Sequence, residues 1–215
     1  MQPDYFANHD KARKFPWTLY HAPLERDLGK FLAQVNGTVL VVGCGLLHEL
    51  DVAPAGVRFV VADVDPRAVD AVLARNDKRI IDGFVVAPEQ PVDQRPGGDA
   101  SRVGRKGFDA IYAKEVVEHV LAWPAWLAGL RRSLVPGGRL WLSTPNYGEP
   151  WLPALESTVL ELVARRSGFT RRHMHPTRFS KRSLARGLTS AGFVDVETHV
   201  TPTRLAITAW GRSPT

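Results

Sequence analysis

The chain has 215 residues, a length that suits one domain with a substantial core and is too short for two domains of ordinary size. Its hydrophobic content of 44% and charged content of 23% are values of globular proteins, and no low-complexity segment interrupts them. The single cysteine excludes an internal disulfide and any metal site built from several cysteines.

The net charge of +6 is concentrated in one segment. Arg165 to Arg186 holds eight Lys and Arg residues and no Asp or Glu, so this segment carries +8 and the rest of the chain sums to −2. A nucleic-acid-binding face over the whole chain would spread its basic residues more widely, although a local patch could still dock RNA or an anionic substrate. The sequence has no apolar run of about 18 residues and no signal-peptide core, which predicts a soluble cytoplasmic protein without a membrane span.

The first 36 residues contain two predicted helical segments, ANHDKARKF and PLERDLGKFLAQV, on either side of a break at Pro16. Two interpretations of this stretch are compatible: a lid that closes over bound ligands, or a helix that covers the sheet. Its aromatic residues have no strand partner nearby; they are Tyr5, Phe6, Phe15, Trp17 and Tyr20.

The stretch from Thr38 to Leu50, TVLVVGCGLLHEL, begins with an apolar run without alternation, which is typical of a strand buried on both faces of a parallel sheet. The glycines at 43 and 45 allow a tight turn that brings the backbone close to a ligand. The residues that follow read as the start of a helix, whose free N–H groups would point at that ligand. Cys44 is expected to be a small packing residue rather than a nucleophile.

A second buried-strand run, Arg58 to Ala62, ends at Asp63. A carboxylate at the end of the second strand of such a unit can accept hydrogen bonds from the two hydroxyls of a ribose. Asp65-Pro66 then predicts a helix with an N-cap and a proline in its first turn. The buried stripe of this helix is expected to contain Ala68, Val69, Val72 and Leu73.

His48 and two later stretches indicate which nucleoside is bound. His48 stands where a dinucleotide fingerprint has its third glycine, which argues against nicotinamide. The stretches FDAIYAKEVVEHV, residues 108–120, and LVPGGRLWLSTPN, residues 134–146, complete a set with VLVVGCG and VVADVDP. As a set, in this order and spacing, they resemble the four main motifs of class I S-adenosylmethionine (SAM) dependent methyltransferases. EVVEHV and LSTPN are most similar to the ubiquinone-biosynthesis O-methyltransferase group.

The resemblance implies a set of cofactor-binding residues. Backbone groups of Gly43, Cys44 and Gly45 would cradle the methionine end of SAM, and Asp63 would bind its ribose. Val64 would lie beside the adenine, and the backbone of Lys114 and Glu115 would flank the sulfonium. The family usually has Asp or Glu where this chain has Val41, and often a third glycine where it has Leu47. The adenine-binding carboxylate of the family could be Glu89 or Asp99 here.

The remaining elements complete an alternating βα order. We expect strands at 83–87, 108–113 and 139–143, helices at 124–134, 151–166 and 180–191, and a final antiparallel hairpin, FVDVETHV and RLAITAWG. The predicted fold is α/β: a Rossmann-like, doubly wound, mostly parallel seven-stranded sheet ending in an antiparallel hairpin, with helical lid elements. Residues 1–215 form one predicted domain, with an N-terminal lid at 1–36 and a lid or substrate-binding insertion at 147–180.

Glu115, Glu118 and His119 would share one face of a helical turn just beyond the fourth strand, and His175 lies farther along the chain. In one interpretation His119 or His175 is a general base. In another, all four residues bind Mg²⁺ or Mn²⁺, a pattern that resembles the metal site of small-RNA 3′-terminal 2′-O-methyltransferases. In a third, Glu118 and His119 only orient the turn, and Glu115 contributes backbone contacts.

The expected function is SAM-dependent methylation, with O-methylation of a hydroxylated small molecule favoured. One alternative is an RNA methyltransferase that uses the basic segment 165–186. Another is a SAM-binding scaffold without catalysis. The sequence predicts a small-molecule methyl acceptor as the partner and does not predict an oligomeric state.

Overall fold

The computed structural model describes residues 17–88, 90–94, 107–155 and 175–215. Several expectations fall outside these ranges. They are the helical segment before Pro16, both candidate adenine-binding carboxylates, Glu89 and Asp99, residues 156–166 of the helix expected at 151–166, and the basic segment as far as residue 174.

Seven strands of the described chain form one sheet in the order β3-β2-β1-β4-β5-β7-β6. Strands β1 to β5 pair in parallel, and β7 runs antiparallel to both β5 and β6. The predicted doubly wound sheet with a terminal hairpin is therefore confirmed. The strands are β1 Gly37–Val42, β2 Val57–Asp63, β3 Ile80–Val85, β4 Phe108–Lys114, β5 Leu134–Pro145, β6 Val194–Val200 and β7 Ala206–Arg212.

Helices cover both faces of the sheet. The α-helices of the described ranges are α1 Thr18–Leu32, α2 Pro66–Leu73, α3 Trp123–Ser133, α4 Trp151–Leu155 and α5 Lys181–Ser190. Short 3₁₀ turns lie at His48–Asp51, Val92–Gln94 and Val117–His119. None of the described helices combines the length and the apolar character that crossing a membrane requires.

The apolar run of β1 divides its side chains between two core layers. Val39 and Val41 pack with α1 and α2, whereas Leu40 and Val42 pack with α3 and α5. Both layers are buried, which explains why this strand has no polar alternation. Because β1 pairs in parallel with β2 and β4, the carboxyl ends of these three strands lie at one edge of the sheet, between the two helical layers.

Helix α1 begins at Thr18, earlier than the start at Pro23 that the sequence suggested, and Pro23 lies inside it. A proline there removes one backbone hydrogen bond, and the burial of four apolar residues in the same helix offsets this loss. These residues are Leu24, Leu28, Phe31 and Leu32. The helix covers the sheet, as one of the two interpretations requires.

Three other local expectations were wrong. The third strand is Ile80–Val85 rather than 83–87, because its pairing with β2 already begins at Ile80. Strand β5 begins at Leu134, which pairs with Phe108, so the Pro136-Gly137-Gly138 sequence is an irregularity within the strand rather than a break before it. Leu73 is exposed, because it is the last residue of α2, whereas the rest of the predicted stripe is buried.

Candidate functional site

The glycine turn follows β1 and rests against β2. Gly43 and Gly45 have left-handed φ angles of 73° and 49°, and the N–H groups of Gly43 and Cys44 donate to the Ala62 carbonyl at 2.8 and 3.2 Å. A Cβ atom on Gly43 would lie 2.5 Å from the Val116 Cγ2 atom. Any larger residue at 43 would therefore collide with the segment that follows β4.

The α-helix expected after this turn is absent from the structure. A single 3₁₀ turn, His48–Asp51, occupies the short crossover between Val42 and Val57. It follows Leu47, which adopts a left-handed φ of 49°. A left-handed residue cannot lie inside a right-handed α-helix, so a helix that began at Gly45 could not run through residue 47.

Asp63, at the end of β2, links the turns of two neighbouring strands. Its Oδ2 atom accepts from the Gly45 N–H and its Oδ1 atom from the Asp65 N–H, both at 3.0 Å. The predicted N-cap is confirmed, since the Asp65 side chain accepts from the Arg67 N–H. The candidate ribose carboxylate thus lies directly beside the glycine turn.

Cys44 is buried within this turn. Burial raises the pKa of its thiol above the usual range, and the negative charge of Asp63 adds to the effect. The thiol is therefore protonated at neutral pH, which agrees with a packing role.

Glu49 is a site residue that the sequence analysis missed. Its carboxylate forms an ion pair with the Lys114 ammonium, and the Tyr112 hydroxyl lies 3.4 Å from its Oε2 atom. Burial alone would raise the pKa of Glu49, but the positive charge of Lys114 and its hydrogen bond hold that pKa below the usual value. The ionised pair joins the 3₁₀ turn after β1 to the end of β4.

Glu115 has the left-handed φ of 57°, so Glu115, Glu118 and His119 do not share the helical turn that the sequence suggested. The 3₁₀ turn covers only Val117–His119. The Glu115 carboxylate accepts a hydrogen bond from the Ser143 hydroxyl at 2.8 Å and another from the Tyr20 hydroxyl. Helix α1 therefore contributes a side chain to the site, a contact over 95 residues of sequence.

Glu118, His119 and His175 come together at the same edge. Each offers one ligand atom within 4.8 Å of the others, and the two imidazole rings are 5.1 Å apart between centroids in an edge-to-face arrangement. The Tyr147 hydroxyl lies 2.5 Å from the His175 Nδ1 atom. Glu115 is not a member of this group.

Backbone hydrogen bonds explain how a residue as distant as His175 reaches this position. The Thr177 N–H donates to the Glu118 carbonyl at 3.1 Å, and the Thr177 hydroxyl donates to the Val120 carbonyl at 2.9 Å. The Tyr147 N–H donates to the Phe179 carbonyl at 2.8 Å. The segment 175–179 is thus fastened to both the 3₁₀ turn and the end of β5.

Glu118 has an unusual environment. Its accessible surface is 0%, and neither of its carboxylate oxygens has a hydrogen-bond partner within the described ranges. Burial raises the pKa of Glu118 well above the usual range, with a further contribution from the charge of Glu115. Burial also raises the pKa of Glu115, against the opposing hydrogen bonds from Tyr20 and Ser143.

The fold and this edge together define a class of protein. In doubly wound α/β sheets, ligands bind outside the carboxyl ends of the strands where the strand order reverses, which here is beside β1. A glycine turn and an adjacent carboxylate at that point are typical of nucleoside-binding enzymes.

Comparison with protein families makes the assignment specific. Residues 17–198 match the family described as methyltransferase domain, and the chain belongs to that family of SAM-dependent methyltransferases. A comparison with curated proteins gives no match.

Several solved structures share the fold. A chain of the Haloferax volcanii complex that contains the Trm112 methyltransferase activator is 17% identical, with 100% of both chains covered and a TM-score of 0.68. The N-methyltransferase NodS from Bradyrhizobium japonicum, in complex with S-adenosyl-L-homocysteine, is 20% identical over 98% of this chain and 95% of that one, with a TM-score of 0.60. A SAM-dependent methyltransferase from Mesorhizobium loti is 13% identical over 87% of this chain and 97% of that one, with a TM-score of 0.63. At these identities the likeness shows the fold.

The residues of this edge fit SAM. The left-handed glycines keep side chains out of the turn, so a ligand can approach its backbone closely. Asp63 presents a carboxylate beside that turn, as the hydroxyls of a ribose require. Val64 follows Asp63 and is 54% exposed, so an apolar surface is open to a purine ring.

Proposed function

We propose that this methyltransferase transfers the methyl group to a hydroxyl oxygen of a small molecule. The observation that carries the proposal is the pairing of His119 with His175 beside the buried Glu118. Methylation of a hydroxyl needs removal of its proton, and imidazole is the side chain that titrates nearest to neutral pH. Methyl acceptors that are already nucleophilic need no such base.

In the proposed mechanism SAM supplies a methyl group activated by its sulfonium. The turn at residues 43–45 binds the methionine end through its backbone, and Asp63 binds the ribose hydroxyls. Val64 packs against the adenine, and the backbone of Lys114 and Glu115 flanks the sulfonium. These contacts align the methyl group with the acceptor, which the reaction needs because it is an in-line displacement.

The histidines then act on the acceptor. His119 or His175 accepts the hydroxyl proton, and the Tyr147 hydroxyl orients the His175 ring through Nδ1. The positive charge that forms on the imidazole lies close to Glu118, and it opposes the rise that burial causes in the pKa of this carboxyl.

Two segments are proposed to enclose the acceptor within a single domain of residues 1–215. Residues 1–36 form a lid whose described part, α1, brings Tyr20 to Glu115. Residues 147–180 form the substrate-binding insertion, whose described ends include Tyr147 and His175. Closure of both would exclude water from the activated methyl group.

The test is methyl transfer by the variants His119→Ala and His175→Ala to catechol-type and other hydroxylated acceptors. Loss of a general base should lower kcat by about 10²- to 10⁴-fold while S-adenosylhomocysteine affinity stays within about threefold of wild type. His199→Ala is the matched control, because His199 is an exposed histidine of β6. Full activity of both site variants would overturn the proposal.

A metal-assisted form of the same reaction is the second candidate. It is favoured by the ligand atoms of Glu118, His119 and His175, which lie close enough to share one ion such as Mg²⁺ or Mn²⁺. The carboxylate of Glu115, which the sequence analysis included in this set, is bound instead by Tyr20 and Ser143. Chelation separates the two forms: a histidine base works unchanged in EDTA, whereas metal assistance is lost in EDTA and restored by Mn²⁺.

A further inference from the structure

We propose that the ion pair of Glu49 and Lys114 is the receptor for the α-amino acid end of SAM, with Glu49 binding the ammonium group and Lys114 the carboxylate. The inference rests on the proposed SAM site and assigns two side chains to it. Sequence analysis gave Lys114 a backbone role and gave Glu49 none.

The pair lies beside the glycine turn. The Leu47 N–H donates to the Cys44 carbonyl at 2.8 Å, and Glu49 follows two residues later on the 3₁₀ turn. The negative charge of Glu49 reaches the Cys44 thiol and contributes to its raised pKa. Lys114 is the last residue of β4, directly before Glu115. The ion pair therefore lies at the end of β4, close to the glycine turn that follows β1.

The side chains of this pair are buried unequally. The Glu49 side chain is 9% exposed, whereas that of Lys114 is 24% exposed. Val41, which lies opposite Tyr112 in the sheet register, is buried and apolar, so Glu49 provides the carboxylate at this strand end. The nearby Glu115 carboxylate is bound by Tyr20 and Ser143.

Charge complementarity identifies the ligand group. An α-amino acid carries an ammonium and a carboxylate on adjacent atoms, and a fixed carboxylate beside a fixed ammonium can pair with both of them. A partly desolvated pair strengthens such contacts because the surrounding dielectric is low. A neutral thioether nucleoside would gain nothing from this pair.

The experiment compares two ligands by isothermal titration calorimetry. S-adenosylhomocysteine carries the amino acid end, and 5′-deoxy-5′-methylthioadenosine lacks it. In Glu49→Gln and Lys114→Met, we expect S-adenosylhomocysteine affinity to fall at least about tenfold and methylthioadenosine affinity to change by less than about threefold. Asp51→Asn is the matched control, because it breaks the Arg75–Asp51 ion pair on the same 3₁₀ turn while leaving Glu49 in place.

The possible outcomes are distinct. If both variants weaken the two ligands equally, or weaken neither, the pair is structural and the inference is overturned. Should Glu49→Gln fail to fold by circular dichroism, the more exposed Lys114→Met decides the question alone. A wild-type protein that binds neither ligand overturns the proposed function itself.

Discussion

Glu118 combines complete burial with a carboxyl that lacks a hydrogen-bond partner among the described residues. In the unfolded chain this carboxyl has an ordinary pKa near 4.5, and burial raises the pKa in the folded protein. Between the two values the folded protein binds more protons than the unfolded chain, so the free energy of unfolding falls as pH rises above about 4.5.

Glu118→Gln keeps the size of the side chain and cannot ionise. The stability of this variant relative to wild type should therefore increase from pH 5 to pH 8, by about 1.4 kcal/mol for each pH unit over which the folded wild type keeps a proton that the unfolded chain has lost. Urea unfolding at both pH values measures this difference, and Glu197→Gln, at an exposed carboxyl, is the control. An equal stability difference at both pH values would show that Glu118 ionises normally.

At the scale of elements, one side chain fastens α1 to the sheet. The Asp27 carboxylate accepts from the Trp141 indole N–H at 2.9 Å and from the Trp210 indole N–H at 3.1 Å. These indoles belong to β5 and β7, so a single residue joins the helix to two strands. Tyr20, which meets Glu115, lies two turns earlier on the same helix.

Asp27→Ala should lower the free energy of unfolding by about 2–4 kcal/mol, because it removes two hydrogen bonds to a charged acceptor and leaves the buried Trp141 N–H unpaired. Asp27→Asn keeps an acceptor oxygen and should lose less. Thermal unfolding monitored by tryptophan fluorescence compares the two. If the alanine variant were as stable as wild type, the two hydrogen bonds of Asp27 would contribute nothing to the attachment of α1.

Strands and helices could be predicted from the sequence where neighbouring residues alone determine them. The apolar runs of β1 and β2 and the Asp65-Pro66 helix start need only neighbouring residues, and the structure confirms them. The helix expected after Gly45 was wrong because Leu47 adopts a left-handed conformation, which the glycine motif does not reveal and which no α-helix can contain. The helical turn expected at Glu115 was also wrong. Glu115 has a left-handed φ, and its carboxylate is hydrogen-bonded to Ser143 and Tyr20, which are too far away in the sequence for a local pattern to indicate.

At the scale of the molecule, the family and the fold followed from four spaced motifs, whereas the charges of the site did not. Glu49 pairs with Lys114 across 65 residues, and Tyr20 reaches Glu115 across 95. A lysine at the end of a buried strand favours a nearby carboxylate, a signal that the sequence analysis did not use, and the sequence alone could not identify the partner. The pairing of His119 with His175 depends likewise on the backbone bonds of Thr177.

The central claim is that the edge beside β1 and β2 binds SAM through the glycine turn and Asp63. The most direct measurement is S-adenosylhomocysteine affinity for Asp63→Asn and for Asp65→Asn, the same change two residues apart. Asp63→Asn should weaken binding at least about tenfold, since it removes a charged acceptor for the ribose hydroxyls. Asp65→Asn should stay within about twofold of wild type, because asparagine is also a good N-cap. Unchanged affinity in Asp63→Asn would contradict the account.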